Sequence, residues 1–221
     1  LLQSSAASDV YKRQDWMGSK IHQTAENCQT HIKQYRFDLA SAEIYELVWS
    51  NFCDWYIEFN KVAIQNSEDA NQTNDLIGNL ITNFYSILEL LHPFMPFITE
   101  ELSSKLAHLA KVEKLGFMVE GGFAHMRASN KKTEQQLDEI ISIISALRVI
   151  RAENQNIKNE ILNLIISNDL NSEMQSVISE NEAMIAGIAK LDGIEFSDKI
   201  PAEAIEKTMD GYKLIIPLEG L

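Results

Sequence analysis

The sequence LASAEIYELVWSNFCDWYIEFNKVAIQ spans residues 39–65, and it decides the fold class. Its apolar side chains recur every three or four positions, which is the period of one face of an α-helix. Charged and polar residues occupy the opposite positions, so one face of this helix is predicted to be solvated. So broad an apolar face implies contact with at least two neighbouring helices. The predicted apolar stripe consists of Ile44, Val48, Phe52, Trp55, Phe59 and Val62, widened by Tyr45, Trp49 and Tyr56.

Three further amphipathic helices are predicted around this one, and they cover residues 15–35, 74–92 and 97–110. Asp38 is the predicted N-cap of the central helix, and Asn74 or Asp75 that of the next, because such side chains accept hydrogen bonds from free backbone N–H groups. The prolines in residues 92–96, HPFMP, must end a helix, since each disfavours helical backbone in the residue before it. Four amphipathic helices with short links predict a mainly α protein built on an antiparallel helical bundle.

The second half of the chain, residues 134–221, predicts a small α+β domain. Helices and strands are predicted in the order 134–154 (helix), 160–167 (strand), 173–190 (helix) and 193–197 (strand). Thr133 is the predicted cap of the first of these helices. The dipeptide Asp210-Gly211 lies between two further strand-like stretches, and it is a strong signal for a β-hairpin.

Two segments are predicted to lie outside both domains. Residues 112–133 contain three glycines and no sustained period, which predicts a connector with a short strand at residues 117–119. Residues 1–14 end in DVYKRQ, which resembles the translation of a transposon end used in sequencing libraries. We therefore predict that these residues are foreign sequence, with a natural N-terminal helix as the alternative. The predicted domains are residues 15–111 and 134–221.

The composition indicates a cytoplasmic protein. The net charge of −13 argues against general, non-specific binding of nucleic acid. A local basic strip is still compatible with it, because charges act over about 10 Å at physiological salt. Two cysteines are too few for a disulfide framework, and the absence of a secretory signal predicts a reducing compartment. No apolar run approaches the roughly 20 residues that span a bilayer.

The sequence contains no recognisable catalytic motif. Phosphate-cradling, dinucleotide-binding and nucleophile-elbow patterns are all absent. The five histidines are scattered, and none has a partner ligand at the spacing that metal sites use. We therefore predict no catalytic residue, metal site or cofactor within this chain, and the residues by themselves indicate a helical binding or scaffolding module.

Two motifs add a family resemblance. Residues 52–58 are FCDWYIE, and residues 91–102 are LHPFMPFITEEL. Both resemble the anticodon-binding domain of valine–tRNA ligases, which are class I aminoacyl-tRNA ligases. The second motif is shared with the isoleucine and leucine enzymes, whereas the first favours valine. Residues 35–38, 148–153 and 212–218 also match, so the resemblance covers nearly everything from Asp15 onward.

The chain departs from the family pattern at the junction between its two domains. Residues 116–129 lack the tryptophan–proline pair that the family usually has there. The segment Asn154-Gln155-Asn156 replaces a proline-containing turn. These departures bear on the geometry of the junction.

The resemblance implies the anticodon-binding portion of an enzyme that joins valine to tRNA(Val) with ATP and Mg. The catalytic signatures H-I-G-H and K-M-S-K-S are absent, so we expect this fragment to be inactive alone. The implied partners are tRNA(Val) and the catalytic domain of the same chain, in a monomeric cytoplasmic protein without membrane contact. The alternatives are the same region of an isoleucine– or leucine–tRNA ligase, or a helical protein–protein interaction module, which the acidity favours.

Candidate tRNA contacts are exposed aromatic or basic residues near helix ends, because unpaired bases are held by stacking and by hydrogen bonds to their edges. Tyr35, Arg36 and Phe37 satisfy this at a predicted helix junction. Arg148 and Arg151 lie three apart on one helix, although they could instead pair with glutamates or form an inter-domain contact. The four lysines of the set below would bind RNA phosphates, or else remain solvated surface residues. The predicted tRNA-binding set is Lys33, Tyr35, Arg36, Phe37, Lys61, Lys131, Lys132, Arg148 and Arg151.

Overall fold

The structure is a computed structural model that describes residues 2–67, 69–111, 118–120 and 130–218, with side chains from residue 12 onward except that of Glu120. The chain divides into two compact units, residues 6–134 and residues 135–221 together with residues 1–5. The first unit is helical and the second contains a four-stranded sheet. This confirms the predicted fold class, a helical bundle followed by a small α+β unit. Most of the predicted connector, at residues 112–117 and 121–129, lies outside the described residues.

Five α-helices and one π-helical segment are described between residues 2 and 111. They are α1 (Leu2–Lys33), α2 (Phe37–Glu46), the π segment (Leu47–Tyr56), α3 (Ile57–Gln65), α4 (Ala70–Leu91) and α5 (Pro96–Ala110). A further helix, α6 (Lys131–Glu153), begins two residues before its predicted cap, Thr133. A single 3-10 turn at Met118–Glu120 replaces the predicted strand at residues 118–119, while Phe117 is outside the described residues.

The central helix is one continuous rod, because both ends of the π segment keep right-handed helical backbone angles. In a π-helix each N–H bonds to the carbonyl five residues before it, so the turn is wider than in an α-helix. The inward-facing series therefore takes a five-residue step from Leu47 to Phe52, both of which are buried. The predicted stripe assumed an unbroken α period, which placed Val48 and Trp55 inside, and both are only half-buried.

Two of the three residues predicted to widen the stripe lie on the outside of the rod. Tyr45 is 65% exposed and Trp49 is 55% exposed, so their predicted place in the core is wrong. Tyr56 is buried as predicted, and its hydroxyl accepts a hydrogen bond from Asn83 Nδ2 at 2.8 Å. The neighbouring helices cover a narrower face than the apolar content of this helix suggested.

The starts of two helices differ from the predicted caps, and the start of a third is as predicted. Helix α2 begins at Phe37 with no side-chain cap, because the Asp38 carboxylate bonds Arg36 instead, so the predicted Asp38 cap is wrong. Asp69 caps α4 by accepting from the N–H of Asn71 at 2.9 Å, in place of the predicted Asn74 or Asp75. Pro96 opens α5, as expected of a residue without a backbone N–H.

Helix α1 runs through residue 14, where the foreign stretch was predicted to end. Gln14 is buried, and its Nε2 donates to Asn79 Oδ1 at 2.6 Å. Trp16, two residues later, is fully buried and meets Phe59 edge-on, with ring centroids 6.1 Å apart. The foreign origin of residues 1–14 stays a prediction, and the folded bundle uses the residues from Arg13 onward in its packing.

The second unit is built on a sheet whose strands are β1 (Leu162–Ile166), β2 (Leu191–Phe196), β3 (Ala204–Thr208) and β4 (Lys213–Pro217), in the spatial order β2-β1-β4-β3. Strands β1 and β2 are parallel, so a helical crossover has to join them. That crossover is two helices, α7 (Ser172–Glu180) and α8 (Glu182–Ala189), where the sequence predicted one. The predicted helix is interrupted at Asn181, whose backbone leaves the helical region with a φ of −103° and a ψ of 12°. The hairpin of β3 and β4 turns at Gly211 as predicted, with a φ of 87°.

Candidate functional site

The corner between α1 and α2 holds four of the predicted tRNA contacts. Helix α1 ends in a Schellman motif, in which the Arg36 N–H donates to the His31 carbonyl at 2.8 Å and the Tyr35 N–H donates to the Ile32 carbonyl at 3.0 Å. The motif requires a left-handed residue, and Tyr35 supplies it with a φ of 57°. We call Lys33, Tyr35, Arg36 and Phe37 the corner cluster.

Tyr35 is an unusual choice for a left-handed position. Glycine is the common residue there, because a side chain at positive φ meets the following carbonyl and costs roughly 1–2 kcal/mol. The ring gains little from burial in return, since it is 82% exposed. Backbone strain that folding does not need is concentrated at binding and catalytic sites. The tyrosine is therefore a candidate contact on structural grounds as well as by its sequence position.

Arg36 is exposed and is held by Asp38 through two hydrogen bonds, from Nε to Oδ1 at 2.9 Å and from Nη2 to Oδ2 at 2.7 Å. These bonds lower the pKa of the Asp38 carboxyl to about 2 and raise the pKa of Arg36 above its usual value. The pair is thus fully ionised at neutral pH, with its charges balanced. The fork geometry orients the guanidinium, while the carboxylate opposes any phosphate that approaches.

Lys33 and Phe37 complete the corner cluster. Lys33 is exposed in the last turn of α1, where a cation is favoured by the helix dipole. Phe37 is the first residue of α2 and is 55% exposed. The cluster therefore presents two aromatic rings and two cations within five residues. These are the groups that bind unpaired nucleotides through base faces and phosphates.

A second aromatic feature lies further along the same rod. Tyr45 and Trp49 are one helical turn apart, with ring centroids 6.1 Å apart and ring planes tilted by 46°. The sequence prediction missed this pair because it placed both rings in the core. Phe37, Ser41, Tyr45 and Trp49 follow one another at intervals of four residues. This spacing was the signal that could have found the pair, since residues four apart are neighbours on a helix surface.

The remaining lysines of the helical unit are not part of the corner. Lys61 lies on α3, roughly 35 Å along the rod from Phe37 at about 1.5 Å per residue, and its Nζ is 3.6 Å from Glu58 Oε1. Lys131 and Lys132 are exposed in the first turn of α6. That turn is tied to the middle of α1, because Lys20 Nζ is 3.1 Å from Glu134 Oε1. Lys33 is about 20 Å further along α1.

The two arginines of α6 differ from each other. Arg148 is exposed. Both terminal nitrogens of Arg151 donate hydrogen bonds to backbone carbonyls. Partial burial lowers the pKa of its guanidinium from the usual value. Nη1 donates to Ile157 and Glu160 at 2.8 Å each, and Nη2 donates to Ala189 and Lys190 at 2.9 Å each. Arg151 therefore acts as a structural clamp at the end of α8, and its predicted contact with tRNA stays a prediction with less to support it.

Neither a metal site nor a membrane-spanning helix is found among the described residues. No group of three histidine, cysteine, aspartate or glutamate side chains there is placed to hold a metal ion. No described helix has both the length and the apolar character to cross a membrane.

Comparison with known proteins places these features in a family context. Residues 14–166 match the protein family described as the anticodon-binding domain of tRNA ligase. Over 208 residues the chain is 31% identical to the valine–tRNA ligase of Francisella tularensis subsp. tularensis, which is 93% of this chain and 22% of that protein. It is 32% identical to the valine–tRNA ligase of Lactobacillus acidophilus and 30% identical to that of Legionella pneumophila, with 93% of the chain and 23% of each relative covered. The chain thus spans between a fifth and a quarter of these relatives.

Proposed function

Because the chain belongs to the family of anticodon-binding domains of tRNA ligases, we propose that its corner cluster holds unpaired bases of a tRNA anticodon loop. The observation that carries the proposal is Tyr35, an exposed aromatic residue kept at positive φ beside Arg36 and Phe37. An aromatic platform with an adjacent guanidinium is a common way to hold a single-stranded base. Anticodon-binding domains bind tRNA, and the proposal concerns which tRNA and by which residues.

We propose tRNA(Val) as the ligand, since the three relatives above are all valine–tRNA ligases. In this proposal the chain is the tRNA-binding portion of an enzyme that joins valine to tRNA with ATP and Mg. Residues 1–221 contain neither H-I-G-H nor K-M-S-K-S. In the proposal the chemistry belongs to a catalytic domain of the same polypeptide, and residues 1–221 are expected to be inactive alone. The proposal includes a cytoplasmic, monomeric protein. An isoleucine or leucine ligase is the alternative within the same class.

The overall charge of −13 decides how the contact has to work. Long-range attraction to RNA is not available from such a protein, and Asp38 balances Arg36 at the corner itself. Stacking on aromatic rings contributes roughly 1–3 kcal/mol per base and does not depend on the net charge. We therefore propose that base faces supply most of the affinity at the corner, with Lys33 as the main phosphate contact.

Replacing Tyr35 with glycine separates the structural from the functional role of this residue. We expect the variant to be as stable as the parent, or more stable by up to about 1 kcal/mol, because glycine tolerates the left-handed backbone. Affinity for tRNA(Val) should nevertheless fall about tenfold through loss of the ring. Thermal unfolding and filter binding measure the two effects.

Lys111 offers a matched control for this variant. It also sits at a helix end with a left-handed φ of 54°, so Lys111→Gly relieves the same strain at a position outside the corner cluster. Its affinity for tRNA should stay within about threefold of the parent. An unchanged affinity in Tyr35→Gly would reject the corner as the base-binding site.

The ion pair at the corner predicts two opposite effects from two single substitutions. Arg36→Ala leaves an unopposed carboxylate and should weaken tRNA binding, whereas Asp38→Asn leaves an unopposed guanidinium and should strengthen it. Both side chains are exposed, so the fold is expected to survive either change. The slope of log affinity against log salt should become steeper in Asp38→Asn by about 0.7, the value for one additional phosphate contact in a single strand. Equal affinities and slopes in both variants would mean that no phosphate lies within reach of Arg36.

A helical protein–protein interaction module is the second candidate, and the acidic surface is what favours it. Filter binding with tRNA distinguishes the two, because an acidic scaffold has no affinity for polyanionic RNA.

A further inference from the structure

The pair formed by Tyr45 and Trp49 has no structural role that explains its exposure. Trp49 keeps 55% of its surface in water and Tyr45 keeps 65%, so neither ring contributes much to the core. The centroids of the two rings lie 6.1 Å apart. A tilted contact between two exposed rings gives only a modest stabilisation. Single exposed apolar residues need no explanation, but two large aromatic rings side by side mark a surface that something else covers.

The position of the pair on the rod connects it with the corner cluster. Phe37, Ser41, Tyr45 and Trp49 follow one another at intervals of four residues, and all but Trp49 lie within α2. Each four-residue step in α2 turns about 40° around the helix axis, so the line of residues winds gradually from Phe37 to the pair, and all four residues are exposed. Phe37 and Tyr45 are about 12 Å apart along the axis. One base cannot contact both.

Trp49 lies in the π segment, and this gives a second reason to regard the surface as functional. Over residues 47–56 the π segment replaces the regular α-helical hydrogen-bond pattern of the rod. Such insertions are rare and are found frequently at functional sites. Here the wide turn brings Leu47 and Phe52 into the core in place of the positions between them. Trp49 is left between these two anchors on the outer face.

We propose that Tyr45 and Trp49 form a second stacking platform, which receives an unpaired RNA base next to the one held at the corner cluster. This inference rests on the proposed function, since it extends the same surface along α2. The ligand is a run of unpaired nucleotides that follows the rod from Tyr35 to Trp49. Ser41, exposed between the two aromatic groups, leaves room for the strand to pass.

The local charge fixes the type of contact. Glu46 is exposed beside the pair, and Asp38 lies at the start of the same helix. Within this stretch, residues 38–50, the sequence has acidic residues and no lysine or arginine. Phosphate is therefore disfavoured at this face, and the base has to bind through its ring. Stacking releases no counterions, so its contribution to affinity is independent of salt.

The test compares Trp49→Ala, Trp49→Phe and Phe97→Ala in the full chain with tRNA(Val) at several salt concentrations. We expect Trp49→Ala to weaken binding about tenfold with an unchanged slope of log affinity against log salt. Trp49→Phe keeps an aromatic face and should stay within about threefold of the parent. Phe97 is 91% exposed at the start of α5, outside residues 37–49, and its replacement should leave affinity unchanged.

Tryptophan fluorescence provides a direct readout of stacking. Trp16 is fully buried and Trp55 is half-buried, so Trp49 is the most exposed of the three tryptophans. Saturating tRNA should quench the emission of the parent and of Phe97→Ala, and the quench should be mostly lost in Trp49→Phe. Circular dichroism of each variant shows whether the helical content is retained.

The outcomes separate this inference from the proposed function. Weaker binding in Tyr35→Gly with parental binding and quenching in Trp49→Ala would overturn the second platform and leave the corner in place. Parental binding in both variants would overturn both. Parental tRNA binding by Trp49→Ala together with a loss of self-association in sedimentation would assign the pair to contact with a second copy of the chain instead.

Discussion

Replacing Trp16 with alanine is expected to lower the free energy of unfolding of the helical unit by about 4 kcal/mol. The indole is fully buried, and its edge-on contact with the equally buried Phe59 joins α1 to α3. Truncation removes the largest side chain of the core and leaves a cavity that rigid neighbouring helices cannot fill. Phe59 also loses one of its two aromatic partners, the other being Trp55, which adds to the cost.

Hydrogen exchange of the α3 amides measures this effect in the helical unit alone, since the chain has two units and need not unfold in one step. Trp49→Ala is the matched control, because it removes the same side chain from an exposed position. It should cost less than about 1 kcal/mol. Similar losses in the two variants would contradict the burial assigned to Trp16. A large loss in Trp16→Ala would also show that the bundle requires residues close to the predicted foreign stretch.

Replacing Arg151 with alanine is expected to destabilise the second unit by about 3 kcal/mol. The guanidinium donates to four carbonyls, two of which lie just before β1 and two at the end of α8. The last carbonyls of a helix have no partner within the helix, and a cation at this end is also stabilised by the helix dipole. Water can reach part of this site, so the expected loss is smaller than four charged hydrogen bonds would give in isolation.

Arg151→Lys and Arg148→Ala are the controls for this prediction. An ammonium cannot span four carbonyls as a planar fork does, so lysine should recover less than half of the loss. Arg148 lies one turn earlier on the same helix and is exposed, and its replacement should change stability by less than about 1 kcal/mol. Urea unfolding of each variant, monitored by hydrogen exchange of the β1 amides, measures both changes in stability. Parental stability in Arg151→Ala with weaker tRNA binding would restore Arg151 to the RNA contacts.

Predictions of helix ends and turns were correct where the residues that determine them are close together in the chain. The proline-rich segment at residues 92–96 ends α4 and begins α5 as expected, because proline restricts its own backbone and that of its neighbour. The hairpin turns at Gly211 for an equally local reason. Tyr35, Arg36 and Phe37 were predicted together at a helix junction, and the junction is there.

Most of the errors involve groups that lie far apart in sequence, or backbone arrangements that the side-chain pattern does not specify. The Asp38 cap is a local exception, since its carboxylate bonds Arg36 two residues away. A π turn changes which residues face inward, and Tyr45 and Trp49 consequently lie outside the core. Asn181 breaks a helix that the period of apolar residues would continue. The predicted RNA contact of Arg151 stays a prediction, but its four carbonyl partners, up to 39 residues away, could not be identified from the sequence.

The amino-acid sequence by itself determined the mainly helical class, the order of the two units and the family resemblance, because helical periods and short motifs are properties of residues a few positions apart. Tertiary structure decided which aromatic rings are buried and which arginine is bound to the backbone. Those outcomes depend on packing and on hydrogen bonds between distant segments, and such contacts form only when the helices and strands are assembled.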